Sequence, residues 1–139
     1  MERTKYLPLL GRIFLGAPFL MSGLGKLAAY AATVGYISAV GLPAAPLAYI
    51  GAVAVEVGGG LMLLLGYRVR LAAVAMALFS LAAAVFFHNN FGDQNQMIHF
   101  LKNVMIAGGL LQIAHFGAGA WSLDARSAAA EKAPALGRA

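Results

Sequence analysis

Four long apolar stretches constrain this chain more than anything else in it. They run over residues 7–26, 47–66, 71–87 and 98–116. A bilayer's hydrocarbon core is about 30 Å thick, and crossing it takes about 20 apolar residues of helix. Each stretch reaches that length or comes close. The apolar runs are continuous rather than alternating, and Ala and Leu dominate them, so they read as helix and not strand. Backbone buried in lipid must also satisfy its own hydrogen bonds, as a helix does. The expected fold is all-α, a polytopic four-helix membrane bundle.

Composition supports this reading. Apolar residues make up 61% and charged residues 11% of the chain, against about 45–50% and about 25% in soluble domains. So few charges cannot cover a soluble domain this small, and so apolar a chain is not disordered. There is no cysteine, which excludes disulfides, iron–sulfur clusters, thiolate metal sites and dithiol electron relays. The net charge is +5, but the bases are scattered among apolar segments. No basic stripe interleaved with aromatics is present, so nucleic acid is not an expected partner. Met1-Glu2-Arg3-Thr4-Lys5 leads straight into the first stretch and reads as uncleaved.

The connections differ in character. Residues 27–46 contain Ala29-Tyr30 and Val34-Gly35-Tyr36-Ile37 before a Gly41-Leu42-Pro43 stop, which predicts a short interfacial helix and then a turn. Tyr67-Arg68-Val69-Arg70 is a tight turn, so spans two and three are antiparallel neighbours. Residues 88–97 form the strongly polar third loop. Residues 1–125 are expected to form the membrane unit, and 126–139 a tail that is helical and then frayed. Arg3, Lys5, Arg68, Arg70, Arg126, Lys132 and Arg138 lie at the termini and in the second loop, while the first and third loops carry no Lys or Arg. By the positive-inside rule both termini are cytoplasmic. Tyr6, Tyr67 and Trp121 then belong to an inner aromatic belt, and Tyr30, Tyr36, Phe86, Phe87 and Phe91 to an outer one.

Ionisable groups inside a span are costly and face the bundle interior or water. Arg12, Lys26, Glu56 and Lys102 lie in spans here, and His88 and His99 lie at span ends. Arg12, Leu15, Phe19, Ser22 and Lys26 step by three or four residues and share one helix face. Glu56 shares a face with Ala52, Gly59 and Gly60. His99, Lys102 and Asn103 lie within one turn, continued by Ile106 and Gly109. With about 1.5 Å of rise per residue, Lys102 sits about 6 Å and Glu56 about 13 Å below the outer boundary. A lone carboxylate at that depth must be paired or neutral. Glu56 is therefore expected to meet Lys26 or Lys102 in the interior, as a packing pair or as part of a site. Arg12 is expected to snorkel to the cytoplasmic side. His88, His99 and Asp93 lack tight ligand spacing and read as interfacial residues, with no metal site. The Gly58-Gly59-Gly60 run sits in an apolar helix and reads as a close-packing surface, not a phosphate loop. Pro18 is expected to kink the first span.

Taken together, these motifs resemble the DoxX family of small bacterial membrane proteins. The resemblance rests on Arg12-Ile13-Phe14-Leu15-Gly16, Phe19-Leu20-Met21-Ser22-Gly23-Leu24-Gly25-Lys26-Leu27, and Glu56 leading through Gly58-Gly59-Gly60 to Gly66. It continues in Phe86-Phe87-His88, in Gln96-Met97-Ile98-His99-Phe100-Leu101-Lys102-Asn103, and in Gly108-Gly109. It covers about residues 8–118. It implies a four-helix inner-membrane protein and an oxidoreductase association, because the family takes its name from a subunit of a thiosulfate:quinone oxidoreductase and other members are linked to redox-defence complexes. The family's recurrent polar positions correspond to Arg12, Lys26, Glu56, His88, Lys102 and Asn103.

The expected ligand-binding residues are Lys26, Glu56, His88, Lys102 and Asn103, with Arg12, Ser22 and His99 behind them. The leading reading is a subunit of a membrane oxidoreductase complex that binds a quinone or another small molecule, with quinone as the candidate cofactor. It carries no flavin, haem or metal motif of its own. The alternatives are a small proton-coupled transporter using Glu56, or a non-catalytic scaffold for soluble redox-defence enzymes. Expected partners are the lipid bilayer, redox-enzyme proteins and further copies of the chain.

Overall fold

The computed structural model describes residues 4–132. Arg3, Arg138 and the last part of the tail, used above for orientation, lie outside the described residues. Among the described residues four helices are long and apolar enough to cross a membrane: Leu7–Ala28, Ala45–Leu65, Val69–Phe87 and Gln94–Phe116. They are the first to fourth spans below, and each coincides with one expected stretch to within a few residues. The fold is all-helical, with a short helix Tyr30–Ala39 between the first two spans and another, Leu123–Lys132, after the fourth. The third loop is shorter than the polar run 88–97 suggested. Asp93 caps the fourth span, its carboxylate accepting from the backbone N–H of Asn95 at 2.8 Å and of Gln96 at 3.4 Å. A satisfied N-cap starts the helix inside the polar segment.

Small residues let the spans approach closely. A methyl group added at Gly60 would stand 2.9 Å from the carbonyl oxygen of Gly16, and one at Gly23 would stand 2.7 Å from Val57. Gly59 faces Met76 of the third span, where an added methyl would come within 2.7 Å of its sulfur. Lipid tails are as apolar as side chains, so helices in a bilayer associate through such close contact rather than through the hydrophobic effect. Leu63, Val69, Met76, Ala107 and Leu110 form the buried core of the second to fourth spans, with Leu15 and Phe19 packed against it from the first. Leu15 also lies over Gly109 of the fourth span. The first helix runs on through Pro18.

The end of the bundle where the first span begins and the fourth ends is tied together by caps supplied from other segments. Gly66, at φ +71°, closes the second span, with Gly66 N–H donating to the Leu63 carbonyl and Tyr67 N–H to that of Met62. Arg12 was expected to snorkel but is buried, with 1% of its surface exposed. Its guanidinium donates to the carbonyls of Leu63 at 2.8 Å and Leu64 at 3.4 Å, and also to that of Trp121. The physical reason is the spare acceptor capacity of the carbonyls at the end of the second span, which a planar fork of donors can fill together. Asp124 does the converse for the third span. Its carboxylate accepts from Arg68 N–H at 2.7 Å and Val69 N–H at 3.0 Å. Arg70 donates to the Ala114 carbonyl at the end of the fourth span, at 3.1 Å.

Candidate functional site

The first and second spans bring Ser22, Lys26 and Glu56 together. Ser22 and Lys26 are one turn apart on the first helix, on the face that Gly23 presses against Val57 and Glu56. Lys26 Nζ lies 2.8 Å from Glu56 Oε2 and donates to Oε1 at 2.9 Å. It also donates to Ser22 Oγ at 2.9 Å, and Ser22 in turn donates to Glu56 Oε1 at 3.2 Å. The carboxylate is the enclosed partner. Its side chain is 6% exposed against 28% for Lys26. Tyr49 of the second span donates its hydroxyl to the Lys26 carbonyl at 3.2 Å, holding the end of the first span in place.

Glu56 sits in a π-helical turn, Ala54–Gly59, within the second span. Such turns insert a residue into an α-helix and are frequent at functional sites. Apolar periodicity carries no mark of this turn. The signals that could have pointed to it are a buried acid next to three consecutive glycines, which tolerate displaced backbone.

A cavity of about 460 Å³ opens beside this triad. Its polar wall holds Ser22, Lys26, Glu56, His88 and Asn103, and its apolar wall includes Phe19, Ala52, Ala83 and Ile106. Thr33, Tyr36 and Ile37 of the short helix Tyr30–Ala39 also line it. That helix is fastened by Tyr36 stacked on Phe87, with centroids 5.4 Å apart, and by Tyr30 edge-on to Tyr49 at 4.9 Å. His88 Nδ1 lies 2.9 Å from Gln96 Oε1, and the His88 ring stacks on His99 at 5.1 Å. Asn103 donates its amide to the His99 carbonyl at 3.0 Å.

Four of the five expected ligand-binding residues therefore line one cavity, and Ser22 joins them. Lys102 does not. It is exposed and absent from the lining, and Glu56 takes Lys26 as its partner instead. The fourth span turns its Asn103, Ala107 and Leu110 side inward, and Lys102 lies about 100° around the helix from Asn103. His99 stands behind His88, and Arg12 lies at the opposite end of its span, among the caps. Sequence reasoning missed the cavity role of Tyr36 and Ile37, which the short connecting helix carries over the bundle.

The DoxX family model matches residues 7–89. Two curated relatives match over most of their length. The inner membrane protein YqjF of Escherichia coli (strain K12) is 39% identical over 116 residues, covering 84% of this chain and 88% of YqjF. The inner membrane protein YphA of the same organism is 38% identical over 123 residues, covering 85% and 88%. No solved structure matches the chain. The family match takes in Arg12, Lys26, Glu56 and His88, and the matches to the relatives are longer than it. This chain is an integral inner-membrane protein belonging to the DoxX family.

Proposed function

We propose that the protein is a membrane-embedded binding subunit for a small lipid-phase molecule of the quinone type, serving a membrane oxidoreductase complex. The observation that carries this reading is the cavity itself, polar along Ser22, Lys26, His88 and Asn103 and apolar along Phe19, Ala52, Ala83 and Ile106. Small-molecule sites have this division, with a few polar groups that orient a head and an apolar remainder that holds a tail. Its volume of about 460 Å³ falls within the usual range of about 300–1,000 Å³ for such sites. A quinone head offers two carbonyl acceptors, and Tyr36, His88 and Asn103 line the cavity with side chains able to donate hydrogen bonds. The chain's own contribution is to bind and orient; redox chemistry belongs to the quinone and to a partner enzyme. The polar end of the cavity is then open toward the outer leaflet, with the short helix Tyr30–Ala39 lying along that interface.

The test is quinone retention. Protein purified in mild detergent from native membranes is extracted, and its quinone content is compared with that of a variant whose cavity is filled, Ala83→Phe. Stoichiometric quinone in the wild type and its loss in the folded variant are the expected results. Equal trace quinone in both would overturn the reading.

A further inference from the structure

The cavity's polar wall is a charge that has already been cancelled. Lys26 is the more exposed member of the pair, and Glu56 lies behind it with 6% of its side chain exposed. Both carboxylate oxygens lie within 2.9 Å of Lys26 Nζ. Ser22 bridges the two, donating to Glu56 and accepting from Lys26. The other polar lining groups, Thr33, Tyr36, His88 and Asn103, add no carboxylate. An anionic head arriving at Lys26 would bring a second negative charge into the surroundings of a buried carboxylate. A cationic head would meet the ammonium. An uncharged head meets neither penalty.

We propose that the Lys26–Glu56 pair is a charge selector that restricts the cavity to uncharged amphiphiles and excludes fatty-acid-like anions and alkyl ammonium ions. The proposal rests on the binding role argued above and specifies its substrate class. The two partners are then specificity-determining in mirror image. Removing the carboxylate leaves an unpaired cation at the wall, and removing the ammonium leaves a buried carboxyl that only a bound cation would pair.

The experiment uses three probes of equal chain length: dodecan-2-one, dodecanoate and dodecylammonium. They compete for full-length protein in detergent, and retained ligand is counted by native mass spectrometry. Gel filtration confirms that each variant is folded. Wild type is expected to retain the ketone over either ion by about tenfold or more, well within what one uncompensated charge contributes at close range. Glu56→Gln should turn the preference toward dodecanoate, and Lys26→Gln should turn it toward dodecylammonium. The double variant Lys26→Met with Glu56→Gln should return to the ketone. If one single variant fails to fold, the other still tests the proposal in the opposite direction. A wild type that prefers either ion, or retains none of the probes, overturns the selector. So do single variants whose preference matches the wild type. The outcomes separate from those of the quinone test: a protein that retains quinone while its single variants keep the wild-type ratios loses the selector and keeps the binding role.

Discussion

Two buried charges in this protein are satisfied in opposite ways, and each leads to a different stability experiment. The hydrogen bonds of the Arg12 fork go to backbone, to the carbonyls of Leu63, Leu64 and Trp121. Lysine keeps the charge but supplies a compact head in place of the planar fork. Arg12→Lys is therefore expected to lower stability by about 1–3 kcal/mol, the cost of leaving buried carbonyls unpaired. Thermal unfolding in detergent measures it, and an unchanged midpoint would refute the capping role. Lys26 and Glu56, in contrast, satisfy each other. Removing one member strands the other, whereas removing both leaves an apolar contact, which is often neutral or stabilising. Lys26→Met alone is expected to cost about 2 kcal/mol, less than the about 3–5 kcal/mol of a fully enclosed pair, because 28% of the lysine side chain is exposed. Adding Glu56→Met, which completes the apolar replacement, should recover most of that loss. A double variant less stable than the single one would contradict the account.

Between elements, the second span makes its contacts by lacking side chains. Gly59 and Gly60 face the third and first spans, while an added methyl at neighbouring Gly58 would meet nothing within 4 Å. The three consecutive glycines are thus inequivalent. Gly60→Ala is expected to push against Gly16 and Leu20 and cost about 1–3 kcal/mol, as overpacking does. Gly58→Ala should be neutral or stabilising by up to about 1 kcal/mol, the difference in helix propensity between glycine and alanine. Equal effects at the two sites would mean that the close approach of the spans is wrong. The spans themselves were legible in the sequence because an apolar run of that length has few other uses. A lone acid at mid-membrane needs a base, which narrows the partner of Glu56 to Lys26 or Lys102 from sequence, and the packing of the first span against the second decides for Lys26. The inward face of the fourth span is not legible: spacing groups Lys102 with Asn103 within one turn, and only Asn103 lines the cavity. Its helix is apolar on most sides, so periodicity gives no sharp direction, and the packing of Ala107 and Leu110 decides it.

At the scale of the whole molecule, the two ends of the bundle differ in how they are held. One end is closed by charged caps. Arg12, Arg70 and Asp124 tie the second, fourth and third spans to neighbouring segments, and Tyr6 stacks on Trp121 at 5.5 Å. The other end is held by aromatic contacts and the Lys26–Glu56 pair around the cavity. These caps were illegible beforehand because each joins a side chain to backbone groups of a distant segment, and backbone partners leave no residue-type signal. Lys5, Arg68, Arg70, Arg126 and Lys132 all belong to segments at the capped end, and the first and third loops at the other end carry no Lys or Arg. Juxtamembrane Lys and Arg are retained on the cytoplasmic side during insertion. The capped end is therefore expected to be cytoplasmic, with the cavity facing the outer leaflet. Alkaline phosphatase fused after Ala139 should be inactive and green fluorescent protein at the same site fluorescent. Alkaline phosphatase placed in the third loop after Asn90 of a protein truncated there should be active. The reverse pattern would invert the molecule and put the cavity within reach of cytoplasmic solutes. A mixed pattern would mean that the protein inserts in both directions, which so one-sided a distribution of bases should prevent.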